Sequence, residues 1–147
     1  MKRFLLLLIL GCCMLPAGTA GAQTRGAVLK LAETNHDFGD VPHKGGEQVY
    51  DFAFTNGGDV PLVITRVVTS CSCIRATYPR RPVAPGGSGA IRITYEPIKS
   101  DPGAFNKVIQ IYSNAVSGRD VITVQGNSLA SDTPRIVRGG RTKTKNR

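Results

Sequence analysis

Tyr50, Phe52 and Phe54 alternate with Asp51, Ala53 and Thr55, and Ile91, Ile93 and Tyr95 alternate with Arg92, Thr94 and Glu96. A period of two puts one set on each face of an extended chain. Both stretches therefore predict half-buried strands, with the aromatic or branched side inward. Further strands are predicted over residues 27–32, 60–69, 105–113 and 121–125, where branched residues alternate or cluster. No stretch of this body has apolar positions at convincing helical spacing. Asn56-Gly57-Gly58-Asp59, Pro85-Gly86-Gly87, Asp101-Pro102-Gly103 and residues 114–118 read as turns between the strands. Without helices between strands, a parallel sheet is not expected. About 110 residues with roughly seven short strands predict an all-β, immunoglobulin-like antiparallel β-sandwich. The antibody signature is missing, since there is no Trp and no widely spaced Cys pair.

The chain opens differently. Met1-Lys2-Arg3 is positive, residues 4–15 are almost wholly apolar, and Ala20-Gly21-Ala22 has the small-x-small form cut by signal peptidase. This predicts a signal peptide over residues 1–22, cleaved between Ala22 and Gln23, and hence an exported protein of the periplasm or cell surface. The apolar run is too short to cross a bilayer core of about 30 Å as a helix. A second processing reading rests on Ile9-Leu10-Gly11-Cys12, which loosely resembles a lipobox and would make Cys12 a lipid anchor. Cleavage after Ala22 removes Cys12 and Cys13 and leaves Cys71 and Cys73.

Charge narrows in the same way. The 147 residues carry a formal net charge of +9, which by itself invites a nucleic-acid reading. Lys2 and Arg3 leave with the signal peptide, and six basic residues lie beyond Pro134 with no acid among them. The body, residues 23–133, holds 11 basic and 10 acidic residues, so the count gives it no basic face. Nucleic acid is therefore not an expected partner. The organisation predicted is a signal peptide (1–22), one sandwich (23–132) and a basic disordered tail (133–147). The tail reads either as a contact for anionic lipid or polysaccharide or as a solvated end.

One feature carries chemistry. Cys71-Ser72-Cys73 follows the branched run Val67-Val68-Thr69-Ser70. The two residues read as small buried side chains, as a local disulfide in an oxidising compartment, or as a redox or soft-metal pair. In a regular strand, positions i and i+2 stand too far apart for a disulfide, so that reading needs a turn at Ser72. Arg75, Arg80 and Arg81 follow closely and would lower a thiol pKa if they approached it. His36 and His43 read as ordinary loop residues, with no spacing that supports a metal site. No nucleophile elbow, phosphate loop, zinc-protease motif or paired carboxylate site is visible. No catalytic residue, metal or cofactor is predicted.

Asn56-Gly57, Pro61-Leu62-x-Ile64, Val67-x-Thr69-Ser70-Cys71-x-Cys73, Pro85-Gly86, Ser113-Asn114 and Gly126 together resemble domain-of-unknown-function family 1573. The resemblance spans residues 28–128. It implies an exported protein of Bacteroidetes-like bacteria. It also implies an immunoglobulin-like sandwich similar to Hydin-like and major-sperm-protein-like domains, and more distantly to pilus chaperones. The family usually has Gly between the two Cys and Thr after the second, whereas this chain has Ser72 and Ile74. That departure weakens the expectation of a tight turn at the thiols. The function expected is a non-catalytic binding or structural module of the cell envelope, contacting another envelope protein or a glycan. The alternatives are a thiol redox or Cu(I)-handling protein using Cys71 and Cys73, and a pilus-chaperone-like strand binder.

Overall fold

The computed structural model describes residues 25–130. The predicted signal peptide with its Ala22–Gln23 cleavage point, the alternative anchor Cys12 and the basic tail lie outside the described residues. Eight strands follow in order: β1 (Leu29–Leu31), β2 (Asn35–Pro42), β3 (Gln48–Asn56), β4 (Ile64–Thr69), β5 (Ile74–Thr77), β6 (Ser88–Tyr95), β7 (Gly103–Ser113) and β8 (Arg119–Leu129). One 3₁₀ turn, Pro97–Lys99, lies between β6 and β7. Among the described residues, no helix is long and apolar enough to cross a membrane.

The strands form two four-stranded sheets, ordered β1-β3-β6-β5 and β2-β8-β7-β4. The period-two stretches pair as expected: Phe52 lies opposite Ile91 and Tyr50 opposite Ile93. Phe52, Ile91, Ile93 and Tyr95 are fully buried, each contributing about 1.5–3 kcal/mol of apolar burial. Ile109, Ile111, Ile122 and Val124 meet them from the second sheet. The Tyr95 and Phe105 rings bridge the layers at 4.1 Å, and the Tyr95 hydroxyl is paired with Ser100 Oγ at 2.8 Å, as a buried phenol requires.

The sandwich is antiparallel except where β2 runs parallel to β8, a pairing the sequence reading did not expect. The chain leaves the first sheet after β1 and joins the second as β2. β2 and β5 fall outside the stretches read as strands from the sequence, and the strands number eight where about seven were expected. Parallel pairing needs no crossover helix here, because β2 and β8 are far apart in sequence. Gly39 (φ +65°) makes β2 irregular. The register shifts between Asp37 and Asp40, so that Phe38 and then Val41 both turn inward. Gly126 accommodates this kink: a Cβ there would stand 2.8 Å from both the Gly39 carbonyl oxygen and the Phe105 ring.

Candidate functional site

Cys71-Ser72-Cys73 is the corner where the chain passes from β4 in one sheet to β5 in the other. The Ile74 amide donates to the Cys71 carbonyl at 3.1 Å, which closes a turn over Ser72 and Cys73. Thr69 Oγ1 donates to the same carbonyl at 3.3 Å. The turn draws the Cys71 and Cys73 Cα atoms to 5.1 Å, and the two sulfurs are joined as a disulfide. A regular strand would hold those Cα atoms about 6.6 Å apart. Ser72 and Ile74 thus support the tight turn that the departure from the family pattern had weakened. Cys73 is fully buried and Cys71 half-buried. The corner is tied to both layers: the Glu96 amide donates to the Cys73 carbonyl at 2.8 Å, and the Ser70 amide to the Val108 carbonyl at 3.1 Å.

The arginines downstream are engaged elsewhere. Arg75 bonds Glu47 and Glu96, each at 3.0 Å. The Glu47 bond raises its pKa further. Lys99 joins Glu96 at 2.7 Å, and this pair, with Arg75 adding to it, lowers the Glu96 carboxyl pKa. The Arg80 guanidinium carbon stands over the Tyr78 ring, 4.3 Å from its centre. The predicted loop histidines are also occupied. His36, which belongs to β2, stacks on Tyr50 at 3.5 Å, and His43 Nδ1 pairs with Ser128 Oγ at 3.2 Å. Among the described residues, no group of three His, Cys, Asp or Glu is arranged to hold a metal.

The other motif residues close the opposite end of the sandwich. Asn56 is fully buried, and its amide is saturated. Oδ1 accepts from the Val28 amide (3.3 Å) and the Gly58 amide (3.0 Å). Nδ2 donates to the Val60 carbonyl (2.8 Å) and the Val83 carbonyl (3.0 Å). Its backbone pairs with Gly86 and Gly87. One side chain thus ties its own turn to two segments distant in sequence, at Val28 and Val83. Asn114 repeats the device at the surface, accepting from the Val63 amide at 2.7 Å and donating to the Pro61 carbonyl at 3.0 Å. Leu62 and Val83 exchange two backbone hydrogen bonds between these clasps. Sequence reading took Asn56 and Asn114 as turn residues; their side-chain roles need the tertiary contacts.

Two of the concavities among the described residues lie beside the features above. One, of 130 Å³, is lined by His43, Lys44, Glu47, Glu96 and Ile98 near the disulfide corner. The other, of 530 Å³, lies over the kink in β2. There Gln125 and Asn127 donate to Asp37 and Asp40. The Gln125 bond, with the Gly39 amide, lowers the Asp37 pKa.

The near-neutral body count conceals an uneven distribution. From Val60 to Tyr95 there is no Asp or Glu, while Arg66, Arg75, Arg80, Arg81 and Arg92 all fall there. This segment supplies β4 and β5, which are edge strands of the two sheets and meet at the disulfide corner. Arg75 and Arg92 are paired with carboxylates, whereas Arg66, Arg80 and Arg81 have none within 4.0 Å among the described residues. Arg66 on β4 and Arg80 and Arg81 after β5 thus form a local excess of unpaired cations that the net count does not show. An acid-free run was the available signal.

The fold resembles several solved structures. A protein of unknown function from Porphyromonas gingivalis W83 superposes with a TM-score of 0.63 at 24% identity, over 76% of this chain and 51% of that one. The chain thus spans about half the length of that relative. PapD-like domain 7 of human CEP192 superposes with a TM-score of 0.57 at 9% identity, over 82% of this chain and 100% of that domain. The periplasmic chaperone SfaE superposes with a TM-score of 0.51 at 12% identity, over 72% of this chain and 60% of that one. At such identities the likeness is one of fold. No match was found among curated proteins. Residues 29–128 match a family described as a protein of unknown function, DUF1573; with its corner disulfide, buried Asn56 clasp and PapD-like sandwich, the chain belongs to that family.

Proposed function

We propose that the protein is an exported, non-catalytic binding module of the bacterial cell envelope, held in the periplasm or at the cell surface. Its strand edges and end loops contact another envelope protein or a glycan. The observation that carries this reading is an open side of the sandwich, where β4 and β5 each end a sheet, as β1 and β2 do on the other side. Edge strands present unpaired backbone groups to which another chain can add. Polar side chains near the ends of the sandwich are committed to internal bonds, as at Asn56, Asn114 and His43. The corner disulfide suits an oxidising compartment, and SfaE, a fold neighbour, is by name a periplasmic chaperone.

The test is photocrosslinking in the native envelope. A crosslinker at Val68 on the side of β4 and β5 should capture a defined envelope component, while one at Lys30 on the opposite side should not. A chain ending at Asp132 tests the tail in the same assay; unchanged partners leave the tail as a solvated end. Turnover of a substrate that one point substitution abolishes would overturn the non-catalytic reading.

A further inference from the structure

We propose that the β4 edge takes up an extended, acidic strand of a partner protein. The inference rests on the binding reading above and names the surface and the chemistry of its partner.

The backbone sets the geometry. The Ser70 amide bonds the Val108 carbonyl, and β4 pairs Val68 with Gln110 and Arg66 with Tyr112. Antiparallel hydrogen bonds issue from alternate residues. Residues 66, 68 and 70 therefore bond β7, and Val67 and Thr69 turn their N–H and C=O groups to the open edge. Below, the register shift between Ile64 and Arg66 and the Leu62–Val83 bridge close the edge off. The free stretch is residues 66–70.

Side chains set the partner's chemistry. The Arg66 guanidinium carbon stands 4.2 Å from the centre of the Tyr112 ring. A stacked guanidinium loses less freedom when it engages a carboxylate. Val68 beside it, on the same outer face of β4, is 41% exposed. Val67 and Cys71 are half-buried at the seam between the layers. A strand laid along β4 meets carboxylate-binding chemistry at Arg66 and apolar surface on either side of it. Acidic and apolar residues in alternation fit that surface. A second copy of the same edge brings no acid, since none lies between Val60 and Tyr95. The acidic residues of β2, Asp37 and Asp40, are held by Gln125 and Asn127.

The probe is a synthetic peptide alternating valine and glutamate, with a valine–lysine peptide as control, added to the full exported chain. Binding is read by fluorescence anisotropy and by hydrogen exchange at single amides. The acidic peptide should bind, weaken as salt rises, and slow exchange at the Val67 and Thr69 amides; the lysine peptide should do none of these. Arg66→Glu should weaken binding by about tenfold or more. Val67→Pro, which removes an edge amide without a bond to β7, should abolish the protection at Thr69; Arg66→Ala, checked for an unchanged melting temperature, guards against a folding artefact. Binding without protection at these amides places the peptide on the basic tail and overturns the proposal. Equal binding by Arg66→Glu does the same, as does a concentration-dependent dimer that protects the edge unaided. No peptide binding beside a captured envelope partner sinks this inference alone. Edge binding without any envelope partner sinks the functional reading alone.

Discussion

Replacing Asn56 with Ala should cost more stability than any other single polar substitution in the described domain. The side chain makes four hydrogen bonds from a fully buried position. Each bond contributes about 1 kcal/mol net, and a buried partner left unpaired costs more. Val60 is exposed and Val28, Gly58 and Val83 are half-buried, so water can replace some of the lost partners. The expected loss is therefore about 3 kcal/mol, where a surface substitution would change stability by about 0.5 kcal/mol or less. With a urea slope of about 1.5 kcal/mol per molar, the midpoint should fall by about 2 M. Asn56→Asp separates the bonds from the packing. It keeps an acceptor for Val28 and Gly58 but turns a buried carboxylate toward the Val60 and Val83 carbonyls. It should therefore be at least as damaging at neutral pH and recover partly as acid protonates it. Asn114→Ala loses two side-chain bonds at an exposed site and should cost about 1 kcal/mol. Equilibrium urea unfolding, followed by circular dichroism, ranks the three. If Asn56→Ala costs no more than Asn114→Ala, the clasp does not hold the sandwich end together and the reasoning fails.

Gly126→Ala places a Cβ 2.8 Å from both the Phe105 ring and the Gly39 carbonyl oxygen; overpacking of this kind should cost about 2 kcal/mol, and an unchanged melting temperature would refute it. The disulfide closes a very short loop, of sequence separation 2, so the double variant Cys71→Ala, Cys73→Ala, which buries no hydroxyl, should lose only about 1.5 kcal/mol by chain entropy. Adding reductant to the wild type should bring the two proteins level, and a loss of several times that size would contradict a purely entropic staple. Asp51, bonded by Arg92, and Glu96, bonded by Lys99, have folded-state pKa values lowered by those contacts. Their stabilisation is complete above the ordinary carboxylate range and disappears as pH falls through the lowered values. Melting temperature should therefore drop as pH falls below the ordinary carboxylate range, and less so in high salt. An Asp51→Asn variant that melts with an unchanged acid profile would count against the Asp51 part.

How much of this was visible beforehand depended on which physical term governed each segment. β3 and β6 were legible because both strands are central and one face of each is buried, so period-two patterning carries the information. β2 was not: it is an edge strand of mostly exposed residues, and the kink at Gly39 breaks its alternation between Phe38 and Val41. β5 offers only four residues, with Ile74 and Ala76 facing the core. The turn at Cys71 could be posed as a condition on the disulfide but not decided, because the bonds that hold it reach to Glu96 and Val108.

Asn56 and the open edge fail to show themselves for opposite reasons. Asn56 stands in a turn-like run, and local propensity accounts for it completely, so nothing local asks for a buried hub. The β4 edge holds the motif residues Val67 and Thr69, but its charge character lies in what the segment lacks, carboxylates from Val60 to Tyr95. Net charge sums over the body and cancels Arg66, Arg80 and Arg81 against acids such as Asp37 and Asp40, which the fold places on the β2 strand rather than beside β4. Electrostatic attraction fades over roughly 10 Å in physiological salt, so a partner approaching β4 responds to its nearest charges and hardly to that sum. Reversing Arg66 should therefore weaken an acidic strand far more than reversing Lys30, although both substitutions change the net charge equally.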